Sequence, residues 1–298
     1  MAQGIGISIT DRIAAASIVN DAVDGTFLIE QGDEHGHDTL RGAPAEIIAQ
    51  RVASLVKRLD FKNAPTHVGV AVAGIVRSGY VEDSPNLAQF KGIHVQQLMT
   101  DALTAQFGRL PVLVMNDADA MAAGMAASRG HLDRLIRLWY LGTGVGYGRY
   151  PIQDGIWENG HTVVTLDPKE RFCGCGGSGH LEGIMGFRSM RLRFMDLEPD
   201  EVFEQAGAGE TRCVEFVKLW HRALAAGTAS SIHVSGPGKF FITGWGARYV
   251  NLSLLSEYLQ EMVKLSPLQS YSFEIVPGGE DIASIGAAVI SQQAAKIE

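Results

Sequence analysis

Val112-Leu113-Val114-Met115-Asn116-Asp117 is an apolar run that ends on a polar pair, and the Ala- and Met-rich stretch Ala118 to Ala127 follows it at once. A short buried strand therefore passes directly into a helix, with Asp117 at the junction. Working back, Ile47, Ile48, Val52, Leu55, Val56 and Leu59 mark one face of a helix between Pro44 and Asp60. Val68-Gly69-Val70-Ala71-Val72-Ala73 reads as another buried strand, and a helix is expected from about His94 to Phe107, ending before Gly108. At the start, Gly4 to Ile9 and Ile13 to Val19 predict two strands joined by the polar turn Thr10-Asp11-Arg12. Strands that alternate with helices imply a mixed sheet covered by helices, and such sheets bind ligands at the carboxyl ends of their strands.

At 298 residues the chain is long enough for two compact domains. Its 46% hydrophobic and 19% charged residues describe an ordinary globular protein, and no apolar run is long enough to span a bilayer. Met1 to Ile5 lacks the basic region and apolar stretch of a signal peptide, so a reducing, cytoplasmic setting is expected. A formal charge of −8 without a dense Lys/Arg stripe opposes binding to a phosphate backbone. Neither a nucleic-acid polymer nor a membrane is an expected partner.

Three stretches carry candidate chemistry. Asn116-Asp117 at a strand end can orient a sugar alcohol and accept its proton, and it can equally cap the following helix. Gly142-Thr143-Gly144-Val145-Gly146-Tyr147-Gly148 follows the strand Leu135 to Leu141, so its glycines can admit phosphate oxygens to the backbone or simply make a tight hairpin turn. It is not a dinucleotide fingerprint, since Arg149 to Ile152 looks extended rather than helical. Gly236-Pro237-Gly238-Lys239 is not a Walker loop either, because Phe240 stands where Ser or Thr is required. The sharpest signal is His161 with Cys173-Gly174-Cys175-Gly176-Gly177-Ser178-Gly179-His180. Two thiols and two imidazoles on a glycine-rich loop suit a closed, structural zinc site; the alternative is a loop with incidental free thiols. His35 and His37, in Glu34-His35-Gly36-His37-Asp38, read as a solvated loop.

In this order the motifs resemble the ROK family of bacterial sugar kinases and sugar-responsive repressors, over nearly the whole chain. Shared elements are Pro85-Asn86-Leu87, Asn116-Asp117, the Gly-Thr-Gly loop from Gly142, and Glu158-Asn159-Gly160-His161. They are followed by a Cys-x-Cys-Gly-x-x-Gly-Cys-x-Glu pattern that here runs from Cys173 to Glu182, with His180 in place of the last cysteine. The resemblance implies an actin-like ATPase (ribonuclease H-like) fold, with two α/β lobes and a cleft between them. The expected domains are 1–117, joined by the C-terminal helix 283–298, and 118–282 with the zinc loop. It implies ATP-dependent phosphorylation of a glucose-like hexose or N-acetylhexosamine, with Asp117 as the base and Asn86, Asn116, Glu158, His161 and Glu182 holding hydroxyls. His161, Cys173, Cys175 and His180 would bind zinc. ATP and magnesium would be met by Thr10, Asp11, Gly142, Thr143, Gly144, Gly244 and Gly246. Family members often form homodimers, and no stripe of this sequence marks an interface on its own.

Two departures stand out. Kinases of the family usually carry Asp-x-Gly-Gly-Thr in the first hairpin, whereas Gly6-Ile7-Ser8-Ile9-Thr10-Asp11 lacks the first acid and puts Ile9 where backbone should meet phosphate. This keeps open an alternative, a sugar-binding protein that has lost normal ATP and magnesium binding, with Asp11 as the candidate substitute acid. Trp245 replaces a usual glycine in the strand and turn Phe240 to Gly246, which resemble the adenosine-cupping element of actin-like kinases; it either stacks on a base or fills its place.

Overall fold

The first hairpin forms as its alternating apolar residues predict: β1 (Gln3–Ile9) pairs antiparallel with β2 (Ile13–Val19), Ile9 opposite Ile13. The computed structural model describes residues 3–10, 12–30, 40, 42–153, 158–264, 270–276 and 280–296. They fall into two units, one of Met1–Ile136, Gly148–Ile156 and Gly279–Glu298, the other of Arg137–Tyr147 and Trp157–Gly278.

In the first unit the chain continues through β3 (Ala22–Ile29), α1 (Ala45–Val56), β4 (Pro65–Val72), a small hairpin of β5 (Ile75–Arg77) and β6 (Tyr80–Asp83), α2 (Val95–Phe107), β7 (Val112–Asn116) and α3 (Asp117–Ser128). The sheet order is β3-β2-β1-β4-β7, antiparallel on the hairpin side and parallel from β1 through β4 to β7. Every residue of β1 is buried, its isoleucines at 5, 7 and 9 alternating with Gly4, Gly6 and Ser8, so both faces of the strand are covered. Helix α1 buries Ile48, Val52, Leu55 and Val56 along one stripe, as its spacing predicts, whereas Ile47, counted on that face from sequence, is exposed. Ile9 is fully buried in the same core, so its bulk sits among apolar side chains and not at the surface of the turn, contrary to the expectation from sequence.

Sequence reading ended the first domain at 117, but α3 and the chain to Ile136 belong to the first unit. The reason is the C-terminal helix (Glu280–Ala295), against which α3 packs along small residues. A Cβ on Gly286 would lie 1.7 Å from the Ala120 carbonyl oxygen, so the two helix backbones touch there. Gly286→Val must therefore force the helices apart, and we expect a loss of about 3 kcal/mol. It would appear as a lower urea midpoint at unchanged m-value; an unchanged midpoint would refute the close contact.

β8 (Ile136–Leu141), β9 (Val145–Tyr150), β10 (Lys239–Thr243) and β11 (Ser272–Ile275) form a second sheet in the order β11-β10-β8-β9, with β10 and β11 parallel; it belongs to the second unit except for Ile136 and the last three residues of β9. After the cysteine loop come four helices, α4 (Leu181–Met185), α5 (Phe187–Arg193), α6 (Pro199–Gly207) and α7 (Thr211–Ser235); α8 (Leu252–Met262) follows β10. Helix α6 is delimited by a capping box between Glu198 and Glu201, with Pro199 in its first turn. The core is organised by two fully buried tryptophans whose indole N–H groups are both satisfied, Trp139 donating to Thr228 Oγ1 at 3.1 Å and Trp220 to the Met185 carbonyl at 3.3 Å. Among the described residues no helix is long and apolar enough to cross a membrane.

His221 joins α7 to the start of α8: Nδ1 lies 2.8 Å from the Val217 carbonyl, and Nε2 accepts the Asn251 N–H at 2.9 Å. Burial lowers its pKa from the ordinary imidazole value against the pull of the Val217 and Tyr249 carbonyls. The unfolded chain therefore takes up this proton first, and the stability from neutral His221 is present above about pH 6.5 and lost as pH falls through the lower folded value. Urea titrations of the parent and of His221→Gln at several pH values should show a shallower acid slope in the variant; parallel slopes would refute this.

Candidate active site

In the first unit Asn116 ends β7 and caps α3. Its Oδ1 accepts the N–H groups of Ala118 at 2.9 Å and Asp119 at 3.1 Å, while Nδ2 donates to the Gly74 carbonyl at 2.8 Å. The capping reading of the Asn-Asp pair is thus realised by Asn116, and the cap fixes where the next residue stands. Asp117 occupies the first position of the helix, at the positive end of its dipole, and its Oδ1 also accepts from Ala118 N–H at 2.9 Å. The loop before Asn86 is braced by Ser84, which donates to the Ala73 carbonyl at 2.5 Å and accepts from Leu87 N–H at 3.1 Å. Leu87 is buried and Asn86 exposed, so the apolar neighbour anchors the loop that presents the amide. In the first hairpin the Thr10 N–H donates to the Arg12 carbonyl at 3.0 Å. Asp11, His35 and His37 lie outside the described residues.

In the second unit Gly142-Thr143-Gly144 is the turn between β8 and β9, while Gly146 and Gly148 belong to β9. The carbonyls of Gly142 and Thr143 accept the N–H groups of Phe187 and Arg188, both at 3.1 Å, which pins the turn to the start of α5. Glu182, in the first turn of α4, reaches the end of this turn, where its Oε2 accepts the Val145 N–H at 3.1 Å. Its Oε1 lies 3.5 Å from Cys173 Sγ and 3.9 Å from His161 Nε2. The last separation suits an ion pair and is too long for a hydrogen bond. Glu158 Oε2 stands 3.9 Å from the other ring nitrogen of His161. Two carboxylates therefore flank one imidazole.

The electrostatics follow from that arrangement. The Glu182 carboxylate holds His161 above the ordinary imidazole value, against the opposing effect of burial. Burial pushes Glu182 up, but His161 and the Val145 N–H outweigh it and leave the carboxyl below its usual range. Burial drives the Cys173 thiol up to about 12. Cys175 is raised by burial too, yet the Gly177 N–H and the Cys173 thiol bring it below its ordinary value.

His161, Cys173 and Cys175 present ligand atoms that all lie within 4.8 Å of one another, with the two sulfurs 3.4 Å apart. His180 stands at the edge of this set: its Nδ1 is 3.2 Å from Cys175 Sγ, and its ring stacks on that of His161 with centroids 5.3 Å apart. The loop closes because Gly179 takes φ +72° and a Cβ there would strike the Thr165 carbonyl at 2.0 Å. The donors are thiols and imidazoles drawn together from two segments, which fits zinc. Cys213 is buried in α7 and takes no part.

After β10, Gly244 has φ +87° and a Cβ on it would fall 2.5 Å from the Leu141 carbonyl, so this turn lies directly on the end of β8. Trp245 projects from it and meets Phe187 edge to face, with ring centroids 4.9 Å apart. Phe187 and Arg248 were not singled out from sequence. For Arg248 the usable signal was its position three residues beyond an unexpected tryptophan.

This chain belongs to the ROK family, whose defining pattern matches residues 18–294. It is 31% identical over 258 residues to a glucokinase of Pyrobaculum calidifontis, covering 80% of this chain and 82% of that protein. Among solved structures it is similar to the ROK hexokinase from Thermus thermophilus, with TM-score 0.79 and 20% identity over 99% of this chain and 100% of the other. A ROK family glucokinase from Streptomyces griseus in complex with glucose and AMPPNP gives TM-score 0.67 and 21% identity over 98% and 100%. The fold is the actin-like ATPase fold of these kinases.

Proposed function

We propose that this protein is a hexose kinase that transfers a phosphoryl group from ATP to a hydroxyl of a glucose-like hexose or N-acetylhexosamine. The glucokinase relative supports that class and favours it over a sugar binder that has lost catalysis. The observation that carries the reading is Glu182, whose two oxygens touch the Gly-Thr-Gly turn through Val145 N–H and approach the imidazole and thiols of the cysteine loop. One side chain thereby ties the turn assigned to phosphate to the imidazole assigned to sugar and to the loop assigned to zinc.

In this reading Asn86, Asn116, Glu158, His161 and Glu182 hold the hydroxyls that do not react. Several fixed partners are needed because a sugar has little apolar surface to drive binding. Asp117 accepts the proton of the reacting hydroxyl as its oxygen bonds to the γ-phosphorus and the bond to the β–γ bridging oxygen breaks, releasing ADP. Thr10, Asp11, Gly142, Thr143, Gly144, Gly244 and Gly246 receive the nucleotide. Magnesium, when bound with ATP, supplies positive charge against the donor phosphates. His161, Cys173, Cys175 and His180 hold a structural zinc that keeps the imidazole of His161 in one orientation. In this reading the protein works in the cytoplasm and as a homodimer.

A coupled assay of ADP release with magnesium-ATP, run across hexoses and N-acetylhexosamines, tests the reading directly. Phosphorylation of at least one sugar is expected, and silence on all of them rejects the function.

A further inference from the structure

Trp245 is 43% exposed, an unusual position for so large a ring in a turn otherwise packed on β8. Arg248, three residues on in the 3-10 turn Trp245–Tyr249, lays its guanidinium carbon 4.3 Å from the Trp245 ring centroid, and its Nε donates to the Trp245 carbonyl at 3.1 Å. That bond holds the guanidinium over the indole. Among the described residues no carboxylate pairs with Arg248, whereas Arg191, Arg193 and Arg212 in the same unit all do. The platform is braced from below, because Phe187 meets Trp245 edge to face and Tyr249 stacks on Phe203 with centroids 4.0 Å apart. An exposed guanidinium lying on an aromatic ring, with no acid among the described residues to satisfy it, offers a flat cationic surface to another π system.

We infer that Trp245 and Arg248 form a stacking platform for the purine base of the phosphoryl donor, with the base on the guanidinium and the indole behind it. The identity of the ligand as a donor nucleotide rests on the kinase reading; the platform itself rests on the Trp245 and Arg248 geometry. Its selectivity follows from shape. A planar guanidinium stacks on a base, while a lysine ammonium is a point charge suited to phosphate and cannot replace it in a stack. This arrangement favours donors that carry a base over inorganic phosphate polymers.

Calorimetric titration of adenosine, which has no phosphate, into the full-length protein is the test, with thermal melts to show that each variant is folded. The parent should bind adenosine, Arg248→Ala should weaken binding about tenfold, Arg248→Lys should fail to restore it, and Trp245→Leu should weaken it comparably. The inference is overturned if the parent shows no adenosine binding, if Arg248→Ala binds like the parent, or if Arg248→Lys recovers full affinity, which would assign the arginine to charge and not to stacking. Failure of the kinase reading would look different: no hexose phosphorylated with ATP, while the adenosine titrations keep the expected pattern.

Discussion

Asp117→Asn should fold, retain hexose binding and turn over about a thousandfold more slowly than the parent. The substitution keeps the shape of the side chain and an oxygen able to accept the Ala118 N–H that Asp117 Oδ1 now accepts at 2.9 Å. The start of α3 is also protected independently, because its cap is Asn116 and not Asp117. What the amide cannot do is take a proton from a sugar hydroxyl at neutral pH. The loss should therefore fall on kcat, with the hexose dissociation constant and the melting temperature close to parental. Steady-state kinetics, calorimetry with the best hexose and a thermal melt read these three quantities separately. A kcat within tenfold of the parent would remove Asp117 as the base, and a large drop in melting temperature would move its role to folding.

Cys175→Ser is expected to lose bound zinc and raise the hexose KM about a hundredfold. Cys175 lies 3.4 Å from Cys173 Sγ and 3.2 Å from His180 Nδ1, so its removal leaves Cys173 and the second imidazole without the neighbour they share. His161 then keeps only its two carboxylate neighbours to fix the ring, and Glu182 loses an ordered partner on its Oε1 side. The effect should reach the sugar before it reaches the nucleotide, so the KM for ATP should change little. Elemental analysis of the purified parent should find one zinc per chain, and prolonged chelation should reproduce the variant's kinetics, with zinc restoring them. Parent protein free of zinc, or a variant with parental hexose KM, would show that the cysteine loop is held by its own contacts.

Much of the site was legible before any coordinates because its chemistry is concentrated in short stretches. Two thiols and an imidazole spaced by glycines in Cys173 to His180, with His161 upstream, mark a candidate ligand set, and the apolar run into Asn116-Asp117 marks a strand end that opens a helix. The use of Asn116 as the cap of α3 and tether of Gly74 could be suspected from its type, but its acceptor partners and its reach across 42 positions could not. Glu182 was visible as a carboxylate with a family precedent; its bond to Val145 N–H, 37 positions away, was not. The exposed stack of Arg248 on Trp245 depends on a local turn whose position against β8 is set by the close approach of Gly244 to Leu141.

Taken alone, the order of residues determined the alternation of strands and helices, the hairpin at the start and the kinds of ligand atoms available, because periodicity and side-chain chemistry belong to neighbours along the chain. Only the folded chain decided that α3 joins the first unit, that Ile9 is core, and which carboxylates flank His161. Those outcomes depend on backbones meeting without a Cβ between them, as at Gly286 and Ala120, and on polar groups finding partners far away in sequence, as Glu182 does at Val145. Such contacts arise when burial brings distant segments together, and the local pattern of either segment does not specify the other.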